Sequence, residues 1–298
     1  IYSMTAAAAA QAPAGKDILG HPRGLWYLSF CEAFERFSYY GMLALLVLYL
    51  TQYLLLPSHI EHVVGFTQFK AGLEAFYGFF DWLFGSIGHL FGGPAPTGHV
   101  TVFPTPVAVA AAITGLYSSG VYITPIIGGF LADRVLGRTL TVTIGCVLMV
   151  AGHFLMAFDA SFVAAILCLF VGVGCFKGNI ASQVGELYAK NDLRRADGFQ
   201  LFFLGIQIAV IAAPFVTGGL GAMSWHYGFG ASGVRMAVAL VVYLSGRKYL
   251  PPDHRKVAAA AKAQGKVVDK LTGRDWAAMA LLVAMLPVPE GLTPNAWY

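Results

Sequence analysis

CEAFERFSYYG, residues 31–41, places three charged side chains inside an apolar run that otherwise reads as one membrane-crossing helix from Leu25 to Leu56. Each charge at the centre of such a helix costs roughly 2.5–3.5 kcal/mol on insertion scales. On a helix, Glu32, Glu35 and Arg36 stand at i, i+3 and i+4 and share one face. Tyr39 follows Glu35 by four residues and Tyr40 follows Arg36 by four, so a polar stripe two turns long runs down an apolar helix. Such a stripe is costly against lipid and is expected to face a bundle interior or a water-filled cavity. Arg36 stays protonated, whereas the two carboxylates respond in opposite senses to burial and to a nearby cation. Two adjustable acids beside one permanent cation suit a group that takes up and releases a proton. The plainer alternative is a static buried ion pair, for which a second glutamate is superfluous.

The composition sets the surroundings of that helix. The 298 residues are 57% apolar and 11% charged, against about 25% charged in ordinary soluble domains. With a mean hydropathy of +0.67 and 35 glycines, the chain reads as a packed transmembrane bundle in which small residues let helices approach. The net charge of +4 carries no nucleic-acid signal, because membrane proteins collect Lys and Arg in their cytoplasmic loops. Cys31, Cys146, Cys168 and Cys175 all fall inside apolar spans and read as packing residues, with no disulfide expected. The stretch MTAAAAAQAPAGKDILG, residues 4–20, reads as an Ala-rich flexible tail without the pattern of a cleavable signal peptide.

Apolar windows of about 20 residues predict six spans: Leu25–Leu56, Val107–Leu131, Leu140–Phe158, Phe162–Tyr188, Phe199–Leu220 and Tyr227–Leu244. The domain plan that follows is a cytoplasmic tail (1–20), a six-helix bundle (21–246), a polar cytoplasmic linker (247–275) and the start of a seventh helix (276–298). Between the first two spans lies an insertion, residues 57–106. Its Phe66, Phe69, Leu73, Phe76, Phe80, Leu83, Ile87 and Leu90 recur at three- and four-residue steps, one face of a helix lying along the membrane surface or against the bundle. With the N-terminus inside, the cytoplasmic segments hold 15 of the 19 basic residues and the outer loops hold only Lys70. That bias orients both ends of the six-helix unit toward the cytoplasm, as expected for a multi-pass protein of the plasma (inner) membrane.

The exceptions are the informative basic residues: Arg36, Lys177 and Arg235 lie within spans. Lys177 sits in GVGCFKGNIASQVGELY, residues 172–188, far from either end of the fourth span. It calls for an internal partner, and the glutamates of the first span are the obvious candidates. Glu186 reads as a boundary residue, and Arg235 as a snorkelling side chain or half of a private ion pair. At the inner end of the second span, GGFLADRVLGRT (residues 128–139) lets Asp133 pair with Arg134, Arg138 or a neighbouring helix end as a latch. That Gly-x-x-x-Asp-Arg-x-x-Gly-Arg spacing resembles the loop of the major facilitator superfamily. His59, Glu61 and His62 cluster in the insertion without a recognisable zinc spacing. No phosphate-cradling loop or nucleophile–base arrangement is legible, so an enzyme is not expected.

Taken together, Glu-x-x-Glu-Arg-Phe-x-Tyr-Tyr-Gly in the first span, the inner loop and Phe-Lys-x-Asn in the fourth resemble the proton-dependent oligopeptide transporter family, over about residues 21–252. The resemblance implies an all-α fold of two six-helix bundles around a central site, of which this chain holds the amino-terminal one. It also implies proton-driven symport of di- and tripeptides, with protons as coupling ion and no other cofactor. By that resemblance Glu32, Glu35 and Arg36 serve proton coupling. Lys177 stands near the peptide carboxylate, and Tyr39, Tyr40 and Tyr122 line the peptide cavity. Two positions depart from the pattern. Leu43 stands where many members carry an arginine that binds substrate carboxylate. Gln207 stands where an asparagine is expected, with a longer arm but the same donor and acceptor. Both bear on peptide length preference. LLVAMLP, residues 281–287, opens like the seventh helix, and the second bundle is expected as the missing partner. The alternatives are the same fold moving another small solute, and a non-transporting truncated membrane protein.

Overall fold

The computed structural model describes residues 17–90, 92, 103–189 and 191–252. Residues 1–16 of the expected tail, most of the linker and the expected seventh helix lie outside the described residues. The remainder is helical: α1 (Arg23–Tyr49), α2 (Pro57–Ile60), α3 (Phe66–Leu90), α4 (Pro106–Leu131), α5 (Arg138–Leu155), α6 (Phe162–Glu186), α7 (Arg194–Met223) and α8 (Trp225–Gly246). α1 runs on through a π-type turn at Leu50–Leu54, and α4 ends in another at Ala132–Leu136. Six of these helices, α1 and α4–α8 with their end turns, are long and apolar enough to cross a membrane. The architecture is an all-α membrane bundle.

Local chemistry sets the boundaries. α4 begins at Thr105-Pro106: the threonine hydroxyl accepts from the Ala108 amide at 3.2 Å, and proline fills the first helical position, where no N–H is needed. The break between α4 and α5 falls on Gly137, whose φ of +84° is open to glycine and strained for other residues. α5 and α6 form the tightest pair, α1 packs mainly on α7 and α8, and α4 lies against α6. Close approach depends on small residues. A Cβ on Gly128 of α4 would run into the Gly174 carbonyl of α6. α1 touches α4 and α6 only sparsely. Tyr39, on the polar stripe of α1, stacks on Tyr117 of α4 across this sparse seam.

The ends are tied differently. At the α3 end, the Tyr49 hydroxyl donates to Asp159 Oδ1 at 2.9 Å, and His59 Nδ1 lies 3.2 Å from Asp159 Oδ2. Tyr53 lies tilted against the His59 ring, 3.9 Å between centroids, and its hydroxyl approaches His226 at 3.5 Å. One carboxylate thus joins the end of α1, the start of the insertion and the α5–α6 turn. At the opposite end, Arg194 donates to Asp192, to Asp17 and to the Gly20 carbonyl, and His21 Nδ1 meets the Tyr188 hydroxyl at 2.9 Å. The chain before α1 is clamped onto the α6–α7 turn. There, hydrogen bonds from Arg194 hold the Asp192 carboxyl below the usual range.

Candidate functional site

Glu32, Glu35 and Arg36 are all buried, within 4% of full enclosure. Arg36 binds Glu35 with two donors: Nε contacts Oε2, and the second lies 2.7 Å from Oε1. Glu32 is held more loosely, with one oxygen 3.4 Å from Arg36 Nε. Its other oxygen, Oε2, is buried without a hydrogen-bond partner. The two acids are therefore inequivalent: Glu35 is locked in a bidentate pair, and Glu32 keeps an oxygen free to carry a proton. The guanidinium also lies 5.0 Å from the centre of the Tyr39 ring, which stacks on Tyr117 of α4. Tyr40 meets Tyr39 edge-on and is half-buried.

Lys177 projects from the middle of α6 toward α4. Its ammonium lies 4.3 Å from the centre of the Tyr122 ring, and among the described residues no carboxylate comes within ion-pair distance of it. Its charge still acts on Glu32, Glu35 and Arg36. The sequence leads one to expect a direct glutamate partner, and an aromatic face stands there instead. Tyr122 is 66% exposed, so the Lys177–Tyr122 pair stands at the open edge of the bundle. Asn179, two residues further along α6, is buried and donates to the Gly128 and Cys175 carbonyls at 3.1 and 2.8 Å, fastening α6 to α4 near the lysine.

The structure does not gather every expected residue. Gln207 lies on the exposed side of α7 with Leu204, Ile208 and Ile211, while Phe202, Ala209 and Ala213 pack inward. Leu43 packs against the core. Arg235 has neither an ion pair among the described residues nor a path that takes its whole head group to water. Its guanidinium sits over the Phe37 ring at 4.3 Å, and one of its nitrogens is buried without a partner. A π face, invisible to a search for opposite charges, takes the place of the expected counter-ion.

At the loop between α4 and α5, Arg138 donates to Asp133 Oδ1 at 3.2 Å and pairs with Glu186. The side chain of Arg134 lies outside the described residues. Glu186 is the residue the motif reading passed over as a boundary. α5 and α6 form an antiparallel hairpin, which sets the first residue of one beside the last of the other. That register was the signal. The latch thus joins the ends of α4, α5 and α6 through one arginine.

The family model described as POT family matches residues 139–269. The uncharacterized transporter YclF of Bacillus subtilis is 37% identical over 237 residues, covering 78% of this chain and 39% of its own length. A di-/tripeptide transporter of Lactococcus lactis subsp. cremoris is 34% identical over 256 residues, 84% of this chain and 43% of that protein. Among solved structures, a peptide transporter POT in complex with sulfate superposes with a TM-score of 0.59 at 31% identity, covering 97% of this chain and 50% of that one. The chain thus spans about half the length of the relatives it matches. By these matches it belongs to the POT family of the major facilitator superfamily.

Proposed function

We propose that this chain supplies the amino-terminal bundle of a proton-coupled symporter for di- and tripeptides, seated in the plasma (inner) membrane with its basic end cytoplasmic. The observation that carries the reading is the buried, inequivalent glutamate pair on Arg36, with the Lys177 ammonium within electrostatic reach across the seam. Glu32 takes the coupling proton on its unpartnered oxygen, and Glu35 holds Arg36 in place. Lys177, left on a π face instead of a carboxylate, is free to receive the carboxylate of a peptide. Tyr39, Tyr40 and Tyr122 offer hydroxyls and ring faces beside it. The Arg138 latch with Asp133 and Glu186 holds the inner ends of three helices as one body during the rocking that alternating access requires. A second six-helix bundle completes the site from the exposed side of α4 and α7.

The positions of Leu43 and Gln207 favour one rival within the same fold, a transporter of another small anionic or zwitterionic solute. The test is uptake of a labelled dipeptide into vesicles under an inward proton gradient, in a version extended to the length of its relatives. Competition by unlabelled di- and tripeptides supports the peptide reading. Gradient-driven transport of some other solute, unaffected by peptides, selects the rival.

A further inference from the structure

The insertion helix α3 carries one apolar stripe with two fates. Phe66, Phe69, Leu73, Phe76, Phe80, Leu83, Ile87 and Leu90 follow one another at alternating steps of three and four, so they stay on one side of the helix for its whole length. In the first half the stripe is docked: Phe66 and Leu73 are 6% and 3% exposed, and Phe69 packs on the core. The docking is fixed by polar contacts at its edge. The Tyr77 hydroxyl donates to the Ala112 carbonyl of α4 at 3.0 Å, and Glu74 accepts from the Phe103 amide at 3.2 Å. From Phe76 onward the same stripe opens, with Phe80 and Leu83 half-buried between more exposed neighbours. Phe76, Ile87 and Leu90 are 41%, 42% and 82% exposed, and Phe79 and Phe84 beside them are half exposed. From Leu73 to Leu90 the helix runs about 25 Å.

We propose that the second half of α3 lies in the bilayer–water interface at this end of the bundle, with its apolar stripe covered by lipid acyl chains. Three observations favour lipid. The stripe is continuous with the face that packs on the membrane-crossing bundle, and α3 joins the outer ends of two membrane-crossing helices, so it starts at interface depth. Phe76, Phe79, Phe80, Trp82 and Phe84 give it the aromatic content of an interfacial helix. Its charged side chains Lys70, Glu74, Asp81 and His89 keep to the other side, where Lys70 and Glu74 pair at 3.6 Å. The helix is amphipathic rather than uniformly apolar, and it is not among the six helices long and apolar enough to span. The Asp159 knot with Tyr49 and His59 then acts as the hinge pin that sets the helix's angle of entry.

The experiment places single spin labels on the chain in lipid nanodiscs, on a Cys168→Ser background, and reads accessibility to oxygen and to a water-soluble nickel chelate. Labels at Phe79→Cys, Phe84→Cys and Ile87→Cys are expected to favour oxygen several-fold over labels at Asp81→Cys and His89→Cys, which favour nickel. Equal nickel access on both sides of the helix would overturn the proposal in favour of a water-exposed arm. Exclusion of both reagents from the stripe would overturn it in favour of a protein cover, whether a second copy or another part of the chain.

Discussion

Arg36 grips Glu35 with two donors and Glu32 with one. The two glutamates of one motif therefore answer differently to the same substitution. Glu35→Gln leaves a buried guanidinium short of its main counter-ion, a change expected to cost about 3–5 kcal/mol. Glu32→Gln keeps that pair and is expected to cost about 1 kcal/mol or less. Thermal unfolding of the two purified variants in the same detergent checks this, and equal losses would contradict the inequivalence.

Lys177 and Tyr122 should act as a pair. Removing the ring by Tyr122→Ala takes away a contact worth about 0.5–2 kcal/mol, leaves the ammonium without its described neighbour and is expected to weaken substrate affinity roughly tenfold. Lys177→Ala is expected to lose coupled transport altogether. Uptake with normal affinity and unchanged pH dependence in Lys177→Ala would remove the lysine from the site.

The Arg138 latch can be tested without a substrate. Arg138→Ala and Glu186→Gln should each destabilise the chain, and the double variant should fall short of their sum by about 1 kcal/mol because the two share one interaction. Strict additivity would show that the contact contributes nothing.

Gly128 makes a sharper steric claim. Gly128→Leu places a side chain where the Gly174 carbonyl lies, so α4 and α6 must separate. The expected cost is about 1–3 kcal/mol, and the same change at Gly129, which faces open space, should cost far less. Equal effects at the two positions would contradict the packing described.

Much of this was legible in the sequence, for identifiable reasons. The spans follow from hydropathy because lipid tolerates no unpaired backbone, and the burial of Glu32, Glu35 and Arg36 follows from their spacing on one helix face. What the sequence does not carry is contact between distant segments. His59 was legible as one of a loose histidine cluster, but its pairing with Asp159, 100 residues on, depends on how the insertion folds back. Glu186 escaped because it looks like a helix end until α5 and α6 are set side by side. Gln207 is placed beside the substrate by its motif alone; on α7 a single residue step turns a side chain by 100°, and the sequence does not show that it stands on the exposed side with Leu204, Ile208 and Ile211.

The chain of 298 residues exposes Ile208, Ile211 and Phe215 along α7 at 61%, 68% and 79%. If a second bundle normally meets that side, these residues alone should self-associate in mild detergent and fail to transport in liposomes. Saturable, gradient-dependent dipeptide uptake by this chain alone would require two copies to build one transporter.

The central claim is that Glu32 carries the coupling proton, and one comparison tests it most directly. In proteoliposomes of a version extended to its relatives' length, Glu32→Gln is assayed twice: for dipeptide exchange between equal pools without a gradient, and for accumulation under an inward proton gradient. The account predicts that exchange survives and accumulation falls to the equilibrium level. Accumulation that persists in Glu32→Gln, with a wild-type response to the gradient, would contradict it.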